Sequence, residues 1–276
     1  MRNLILITLS SLILASCSSS RLERSIDDSS WDSLADESFL RWGDKRLNTA
    51  SASEHKVIGC YKGQTQETLE QFKKDYITNS NTPLYWLHVG NCYFVEENWT
   101  KAEFFYRMAL DESKLDTVKS IALNNIGLIS FKYEQWQKGR DFLNKSMKLA
   151  PRSKVPRYNI SQLYLQFGLY DKAIEVLNDS AFRGHKDIDV YFSLANAYLY
   201  KNDLKTSDMY FKKIPRDYFT REDIAATYAL FLIKTNKVQE AKLVMHNRKR
   251  SAVPELSSIS LKIEKMISQK LKEEQL

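Results

Sequence analysis

The chain has 276 residues, of which 43% are hydrophobic and 12% aromatic, so it is long enough to bury a sizeable core. It contains only 8 glycines and 5 prolines, which favours helices and argues against a β-rich fold. The formal net charge of +7 is spread along the chain without a block of five or more like charges. This argues against a nucleic-acid-binding protein, because such proteins concentrate positive charge on one face.

Residues 1–16 are predicted to be a targeting segment rather than part of the fold. Arg2 supplies a positive charge, and residues 4–14 form an apolar run that is too short for a permanent membrane-spanning helix. Residues 14–17 read Leu-Ala-Ser-Cys, which resembles the cleavage site of bacterial lipoproteins. The resemblance implies that Cys17 becomes the N-terminus and carries three acyl chains, which together form an effectively permanent membrane anchor. The alternative is an ordinary secretory signal followed by a chance cysteine.

The segment after Cys17 indicates where the protein resides. Ser18, rather than Asp, follows the cysteine, which under the sorting rule of many Gram-negative lipoproteins implies the outer membrane, with the protein facing the periplasm. Residues 17–48 are rich in serine and are predicted to be a flexible tether with a reach of about 25 to 30 Å. In the alternative interpretation, its aromatic part docks on the first repeat.

Residues 83–250 contain five copies of one pattern, beginning near residues 83, 120, 154, 188 and 222. The copies are 34 residues apart, except for one step of 37 that we attribute to extra residues in a connection. Each copy predicts two antiparallel helices that approach closely where the residues at positions eight and twenty of the repeat are small. These two rows are Gly90, Gly127, Ser161, Ala195 and Ala229, and Ala102, Gly139, Ala173, Ser207 and Ala241.

This self-similarity resembles the tetratricopeptide repeat (TPR) family, whose signature residue types stand at Trp86, Gly90, Tyr93, Ala102, Tyr106, Ala109 and Pro151. The resemblance implies an all-α fold, a right-handed TPR superhelical solenoid. Residues 49–82 look like a degenerate leading repeat, in which Gly63 is the turn and Lys56 and Thr68 replace the small residues.

Residues 251–276 are predicted to form a helix that caps the solenoid. Pro254 suits a first helical turn, and the apolar stripe consists of Leu256, Ile259, Ile263, Met266 and Ile267. A partner-binding amphipathic helix is the alternative. Before this helix, Thr220 and Asp223 have capping-box spacing at the start of the last repeat.

Cysteine and histidine usage predicts no catalytic, metal or cofactor site, and therefore no enzyme. Cys60 and Cys92 would lie on adjacent inner helices in an oxidising compartment, so a disulfide is conceivable, with two buried free thiols as the alternative. The four histidines fall in different parts of the chain without a metal-binding or catalytic motif. The basic run at residues 246–250 is interpreted as placement of cations at a helix C-terminus, with contact to lipid headgroups or an acidic partner as the alternative.

In TPR folds the first helix of each repeat lines a concave face, and the resemblance implies such a face here. Asn91, Gln162 and Asn196 share position nine, and amides in a row could bind an extended peptide backbone while aromatic residues take its side chains. The alternative is that the apolar members thicken the core. We expect binding to centre between the third and fourth repeats. The candidate groove residues are Asn91, Phe94, Asn124, Phe131, Tyr158, Gln162, Phe192, Asn196 and Tyr200.

Three functions are compatible with this pattern. The first is a lipid-anchored scaffold that binds a protein or peptide in the bacterial envelope, similar to the pilotin lipoproteins that help type IV pilus secretins assemble in the outer membrane. The second is an adaptor for outer-membrane protein insertion or for peptidoglycan enzymes. The third is a carrier of a small ligand or lipid that uses the aromatic groove. The carboxylate clamp of chaperone-type TPR proteins is not expected, because position five lacks its basic residues.

Overall fold

The computed structural model describes residues 41, 57–78, 84–178, 187–251 and 254–273. The predicted signal peptide (1–16), the lipidation residue Cys17 and all of the tether except Arg41 lie outside the described residues. Within the described ranges the chain consists of helices and short turns, with no strand, so the predicted all-α fold is confirmed. No helix in these ranges is both long enough and apolar enough to cross a membrane.

The helices are numbered in chain order. They are α1 (Ile58–Tyr61), α2 (Thr65–Thr78), α3 (Tyr85–Val95), α4 (Trp99–Glu112), α5 (Asp116–Lys132), α6 (Trp136–Leu149), α7 (Lys154–Gln166), α8 (Tyr170–Leu177), α9 (Ile188–Tyr200), α10 (Leu204–Phe211), the 3-10 helix η1 (Arg216–Thr220), α11 (Glu222–Lys234), α12 (Val238–Asn247) and α13 (Pro254–Glu273). The described part divides into two compact units, and the boundary along the sequence lies between Leu163 and Tyr164.

The turn between the two helices of each repeat contains a residue in the left-handed conformation. These residues have φ between 58° and 78° and recur at intervals of 34, 37, 34, 34 and 34 residues, which are the intervals of the sequence repeats. Two of them are glycines, which adopt this conformation without steric cost. The full set is Gly63, Glu97, Glu134, Gly168, Asn202 and Asn236.

Close helix contact in the first unit depends on glycine. A Cβ on Gly139 would lie 2.3 Å from the Phe131 ring and 2.8 Å from the carbonyl oxygen of Gly127. A Cβ on Gly90 would lie 2.5 Å from the ring of Tyr106, which is fully buried. Because real Cβ atoms are not found closer than about 3 Å to such atoms, α3 and α5 can pack against their partner helices only where these side chains are absent.

The leading repeat differs in detail from its prediction. Its first helix, α1, has only four residues, and the close contact to α2 falls at Gly59, three positions after Lys56. A Cβ on Gly59 would lie 2.0 Å from the Thr68 hydroxyl. Thr68 therefore occupies the helix contact, as predicted for position twenty of this repeat. The small partner residue was missed because it lies outside the 34-residue register.

The second unit contains the hairpins α9–α10 and α11–α12 and the predicted capping helix, α13. In the hairpin α9–α10, Ala195 stands at position eight and Ser207 at position twenty. The Ser207 hydroxyl donates a hydrogen bond to the Ala195 carbonyl at 2.9 Å, so the two helices are in close contact there. The apolar stripe of α13 joins the core of α11 and α12, and its buried members are Leu256, Ile259, Ile263 and Ile267.

The predicted capping box at Thr220 and Asp223 is wrong. Thr220 ends the 3-10 helix η1 and donates to the carbonyl of Asp217, and α11 begins without a side-chain cap. Asp223 is instead held by Arg221, whose Nε and Nη2 atoms donate to its two carboxylate oxygens at 3.1 and 2.6 Å. The capping role is lost because a buried arginine competes for the carboxylate.

Arg221 belongs to a buried ion pair that connects two repeats. Its Nη1 atom donates to Asp189, at the start of α9, at 2.9 Å. Burial of Arg221 alone would lower its pKa, but the charges of Asp223 and Asp189 outweigh this effect and raise it. Burial raises the pKa of the Asp223 carboxyl, and Arg221 opposes that shift. The arginine therefore remains charged and fixes the start of α11 relative to α9.

Glu222 holds the capping helix in place. Its carboxylate accepts from the Ser260 hydroxyl of α13 at 2.6 Å and from the Ser251 backbone amide at 2.5 Å, and it pairs with Arg248 at 3.4 Å. Arg248 also pairs with Glu264 of α13 and donates to the Met245 carbonyl at the end of α12. Arg248, from the basic run at residues 246–250, is thus a helix-terminal cation that pairs with the buried Glu222 and the partly exposed Glu264.

Candidate functional site

The candidate groove residues lie on the first helix of each repeat, but most are packed inside their units. Phe94 and Tyr200 are partly buried. The other seven are at most 7% exposed, namely Asn91, Asn124, Phe131, Tyr158, Gln162, Phe192 and Asn196. Their hydrogen bonds and ring contacts therefore indicate whether each one acts within the fold or is available to a ligand.

In the first unit, four buried amides form an asparagine ladder across three repeats: Asn91, Asn125, Asn124 and Asn159. The Asn91 oxygen accepts from the Tyr106 hydroxyl at 2.7 Å and from Asn125 at 3.0 Å. Asn124 donates to Asn125 at 2.9 Å and accepts from Asn159 at 2.8 Å. Each bond contributes about 1 kcal/mol net, and a buried amide without partners would cost more than that. Asn91 and Asn124 thus help to fix neighbouring repeats in register.

Sequence reasoning missed Asn125, Asn159 and Tyr106 as members of this ladder. A signal was present, because Asn125 and Asn159 both occupy position six of their repeats, 34 residues apart. Gln162, which the prediction placed in one row with Asn91, lies 3.5 Å from the Ser161 hydroxyl.

Three predicted aromatic residues of the first unit contact neighbours in different ways. Phe94 makes an edge-on contact with Trp99, with centroids 5.0 Å apart, and Phe131 stacks on Trp136 at 5.8 Å. The guanidinium carbon of Arg41 lies 3.7 Å from the centre of the Tyr158 ring. Phe131 therefore acts as a packing residue over Gly139, in agreement with the interpretation that apolar members thicken the core.

In the second unit, Phe192, Asn196 and Tyr200 are spaced four residues apart and share one face of α9. The Asn196 amide oxygen is buried and accepts no hydrogen bond from the described residues, and the same is true of the Gln166 amide oxygen at the end of α7. Asn196 itself is 5% exposed. Gln166 was missed by sequence reasoning, although it occupies position thirteen, which lines the concave face in TPR folds.

Tyr200 lies one helical turn after Asn196 on α9. Its ring stacks on Tyr170 with centroids 5.5 Å apart and an interplanar angle of 8°. Burial raises the pKa of the Tyr200 hydroxyl far above its usual value, and Tyr170 adds to the shift. The hydroxyl therefore stays protonated and can donate a hydrogen bond at any physiological pH.

Cys60 of α1 and Cys92 of α3 form a disulfide that connects the leading repeat to the first clear repeat. Their Cα atoms are 5.2 Å apart, within the usual range for a disulfide, and both residues are buried. Next to it, a cleft of about 460 Å³ lies between α2 and the first clear repeat, with Tyr85, Tyr93 and Phe105 in its lining. All three rings are partly buried.

Within the described ranges, no group of three or more histidine, cysteine, aspartate or glutamate side chains is arranged to hold a metal ion. The His88 ring contacts Phe72 with centroids 5.7 Å apart, and His246 is exposed at the end of α12. His55 and His185 lie outside the described residues. The recognisable chemistry of the site therefore consists of amide acceptors and aromatic rings.

The fold and the site define a helical-repeat protein with an inner face of amides and aromatic residues. The profile of the tetratricopeptide repeat family matches residues 156–180. No curated protein gives a significant sequence match. The chain therefore has the tetratricopeptide repeat fold, and its third repeat matches the sequence pattern of the family.

Solved structures of TPR proteins resemble this chain at low sequence identity. A tetratricopeptide repeat protein from Parabacteroides merdae ATCC 43184 is 16% identical, with 82% of this chain and 85% of that chain covered and a TM-score of 0.50. YrrB, a TPR protein with an unusual peptide-binding site, is 14% identical, with 75% and 100% covered and a TM-score of 0.51. The APC/C hetero-tetramer Cut9-Hcn1 contains a chain that is 12% identical, with 82% and 44% covered and a TM-score of 0.58. At these identities the likeness concerns the fold alone.

Proposed function

We propose that this chain is a lipid-anchored scaffold of the bacterial cell envelope that binds a protein or peptide partner on the inner face of its second unit. The observation that carries the proposal is the buried Asn196 amide oxygen, which lies between Phe192 and Tyr200 and has no hydrogen-bond donor among the described residues. A buried acceptor without a donor costs about 1 to 3 kcal/mol. A ligand that donates a hydrogen bond to this oxygen would remove the cost, so the site is suited to such a ligand.

An extended peptide supplies the chemistry that this face lacks. Backbone N–H groups would donate to Asn196 and Gln166, and the Tyr200 hydroxyl would donate to a peptide carbonyl. Phe192 would contact an apolar side chain of the peptide. Aromatic anchors of this kind contribute a large share of interface energy, because they bury much area while losing few rotamers.

The proposed location follows from residues 14–17 and Ser18. Acylation at Cys17 would hold the scaffold on the outer membrane, facing the periplasm, where it would help an envelope complex such as a type IV pilus secretin to assemble or localise. An insertion-machine protein or a peptidoglycan enzyme as the partner would place the same scaffold in another envelope pathway.

The anchor is tested by metabolic labelling with a radioactive fatty acid. Wild-type chain should incorporate the label, and Cys17→Ala should accumulate as an unlabelled precursor. Label that persists in Cys17→Ala would refute lipidation at this residue. A cleaved but unlabelled wild-type chain would indicate an ordinary secretory signal.

The binding face is tested by Asn196→Leu, which replaces the unsatisfied amide with an apolar side chain of similar size. We expect the thermal midpoint to stay equal or rise, because a desolvation cost is removed, while partner recovery from detergent-solubilised membranes falls about tenfold. Asn247→Leu is the matched control, because Asn247 is exposed at the end of α12. Undiminished recovery with Asn196→Leu would contradict the proposed face. Recovery of a lipid or small molecule without any protein would favour the carrier.

A further inference from the structure

Arg41 lies on the inner face of the third repeat, far along the sequence from the helix that it contacts. Its guanidinium carbon is 3.7 Å from the centre of the Tyr158 ring, which is the face-on geometry of a cation–π contact. Tyr158 is only 2% exposed. A contact with a ring that is shielded from water is stronger than one on an open surface, because less of the attraction is screened.

The third repeat is the one clear repeat with a tyrosine at position five. The equivalent residues in the other repeats are Leu87, Asn124, Phe192 and Ala226, and none of these combines an aromatic face with a hydroxyl. Sixteen peptide units separate Arg41 from Val57 and can extend over about 50 Å, which exceeds the roughly 30 Å diameter of a small domain. This length of chain is sufficient for Arg41 to reach an inner helix.

We propose that the inner face at Tyr158 is a docking site for the arginine-bearing segment of this chain itself, with Arg41 as the anchoring side chain. The predicted tether is then fixed to the repeats at Arg41. A ligand that reaches the Tyr158 ring must displace Arg41, so the arginine acts as a competitor in cis at this position of the first unit.

Trypsin digestion of the full chain in detergent tests the docking without any partner. Trypsin must take the arginine side chain into its own pocket, so a docked Arg41 is protected, whereas Arg24, in the same tether, serves as the internal control. We expect cleavage after Arg41 to be about tenfold slower than cleavage after Arg24. Equal rates at the two sites in the wild-type chain would overturn the proposal.

Two substitutions at Tyr158 separate ring contact from other causes of protection. Tyr158→Phe keeps the aromatic face and should keep Arg41 protected, whereas Tyr158→Leu should bring the two cleavage rates within about twofold. Circular dichroism melts show whether each variant is folded. Protection that survives Tyr158→Leu in a folded chain would refute the role of the ring.

Binding in trans provides a second measurement if Tyr158→Leu fails to fold. A fluorescent peptide with the sequence of residues 36–47 should bind to the full chain carrying Arg41→Ala at least about tenfold more tightly than to the wild-type chain, because the internal competitor has lost its anchor. The same peptide with Arg41→Ala should not bind. Equal binding to both chains, or binding that does not need the arginine, would overturn the proposal. Neither assay requires a partner, so failure here leaves the proposed function untouched.

Discussion

Gly139→Ala tests the helix contact on which the repeat assignment rests. The added methyl group would lie 2.3 Å from a carbon of the Phe131 ring and 2.8 Å from the carbonyl oxygen of Gly127. Phe131 is only 3% exposed, so its ring cannot move by the required ångström or more without displacing other buried atoms.

The magnitude follows from two opposing effects. Alanine in place of glycine inside a helix contributes about 1 kcal/mol of stability, whereas overpacking of a close-packed core typically costs 1 to 3 kcal/mol. Because one of the clashes is with backbone, we expect a cost near the upper end and a net loss of about 1 to 2 kcal/mol. Gly127→Ala is the matched control. Its methyl group would lie 3.1 Å from the Gly139 oxygen and 3.2 Å from Leu143, so the net change should be close to zero.

Urea unfolding of each variant, followed by circular dichroism, gives the comparison. Phe131→Leu should recover part of the loss in the Gly139→Ala background, since it removes ring atoms that clash, and a double-mutant cycle would measure the coupling. A Gly139→Ala chain as stable as Gly127→Ala would refute the packing of Phe131 over Gly139. The prediction that Phe131 is a groove residue would then stand.

Three further predictions concern other parts of the fold. Thiol titration of the denatured, unreduced chain should find Cys60 and Cys92 oxidised, and two reactive thiols would contradict the disulfide. Replacing both cysteines with serine should lower the free energy of unfolding by up to about 4 kcal/mol, as the loop-closure entropy for a separation of 32 residues predicts. Glu222→Ala should lower the free energy of unfolding in urea melts by about 3 kcal/mol, because it leaves the buried Arg248 without this partner. Glu264→Ala, at a side chain that is 38% exposed, should lower it by less than about 1 kcal/mol. Equal losses would show that Glu222 does not hold the capping helix. Glu134→Gly should raise the thermal midpoint and stabilise the chain by about 0.5 to 1 kcal/mol by relieving a left-handed backbone, and a lower midpoint would contradict that turn geometry.

The repeat spacing could be predicted from the sequence because the contact between the two helices of a repeat depends on the size of the side chains at two positions. Small residues recur at two fixed positions, and any larger side chain there would keep the paired helices apart. Of the six left-handed turn residues, only Gly63 was predicted to form a turn. At Glu97 and Glu134 the residue type gives no indication of a positive φ, and the tertiary contacts of the hairpin impose it.

The candidate site was predicted less completely, since a position on a helix does not specify the partner of a polar side chain. Asn91 and Asn196 both occupy position nine, yet the Asn91 oxygen accepts two hydrogen bonds and the Asn196 oxygen accepts none from the described residues. The difference arises from Tyr106 and Asn125, which reach Asn91 from another helix and from the next repeat. The contact of Arg41 with Tyr158 could not be predicted either, because it joins positions more than a hundred residues apart without a repeating pattern.

The central claim is that the inner face of the second unit binds a protein partner, and site-specific photo-crosslinking in intact membranes tests it most directly. A photoreactive phenylalanine analogue at Tyr200 should give a discrete protein adduct that disappears with Asn196→Leu. The same analogue at Leu243, which is 62% exposed on α12, should give none. An adduct formed from Leu243 and not from Tyr200 would contradict the claim and would place the partner on the outer helices.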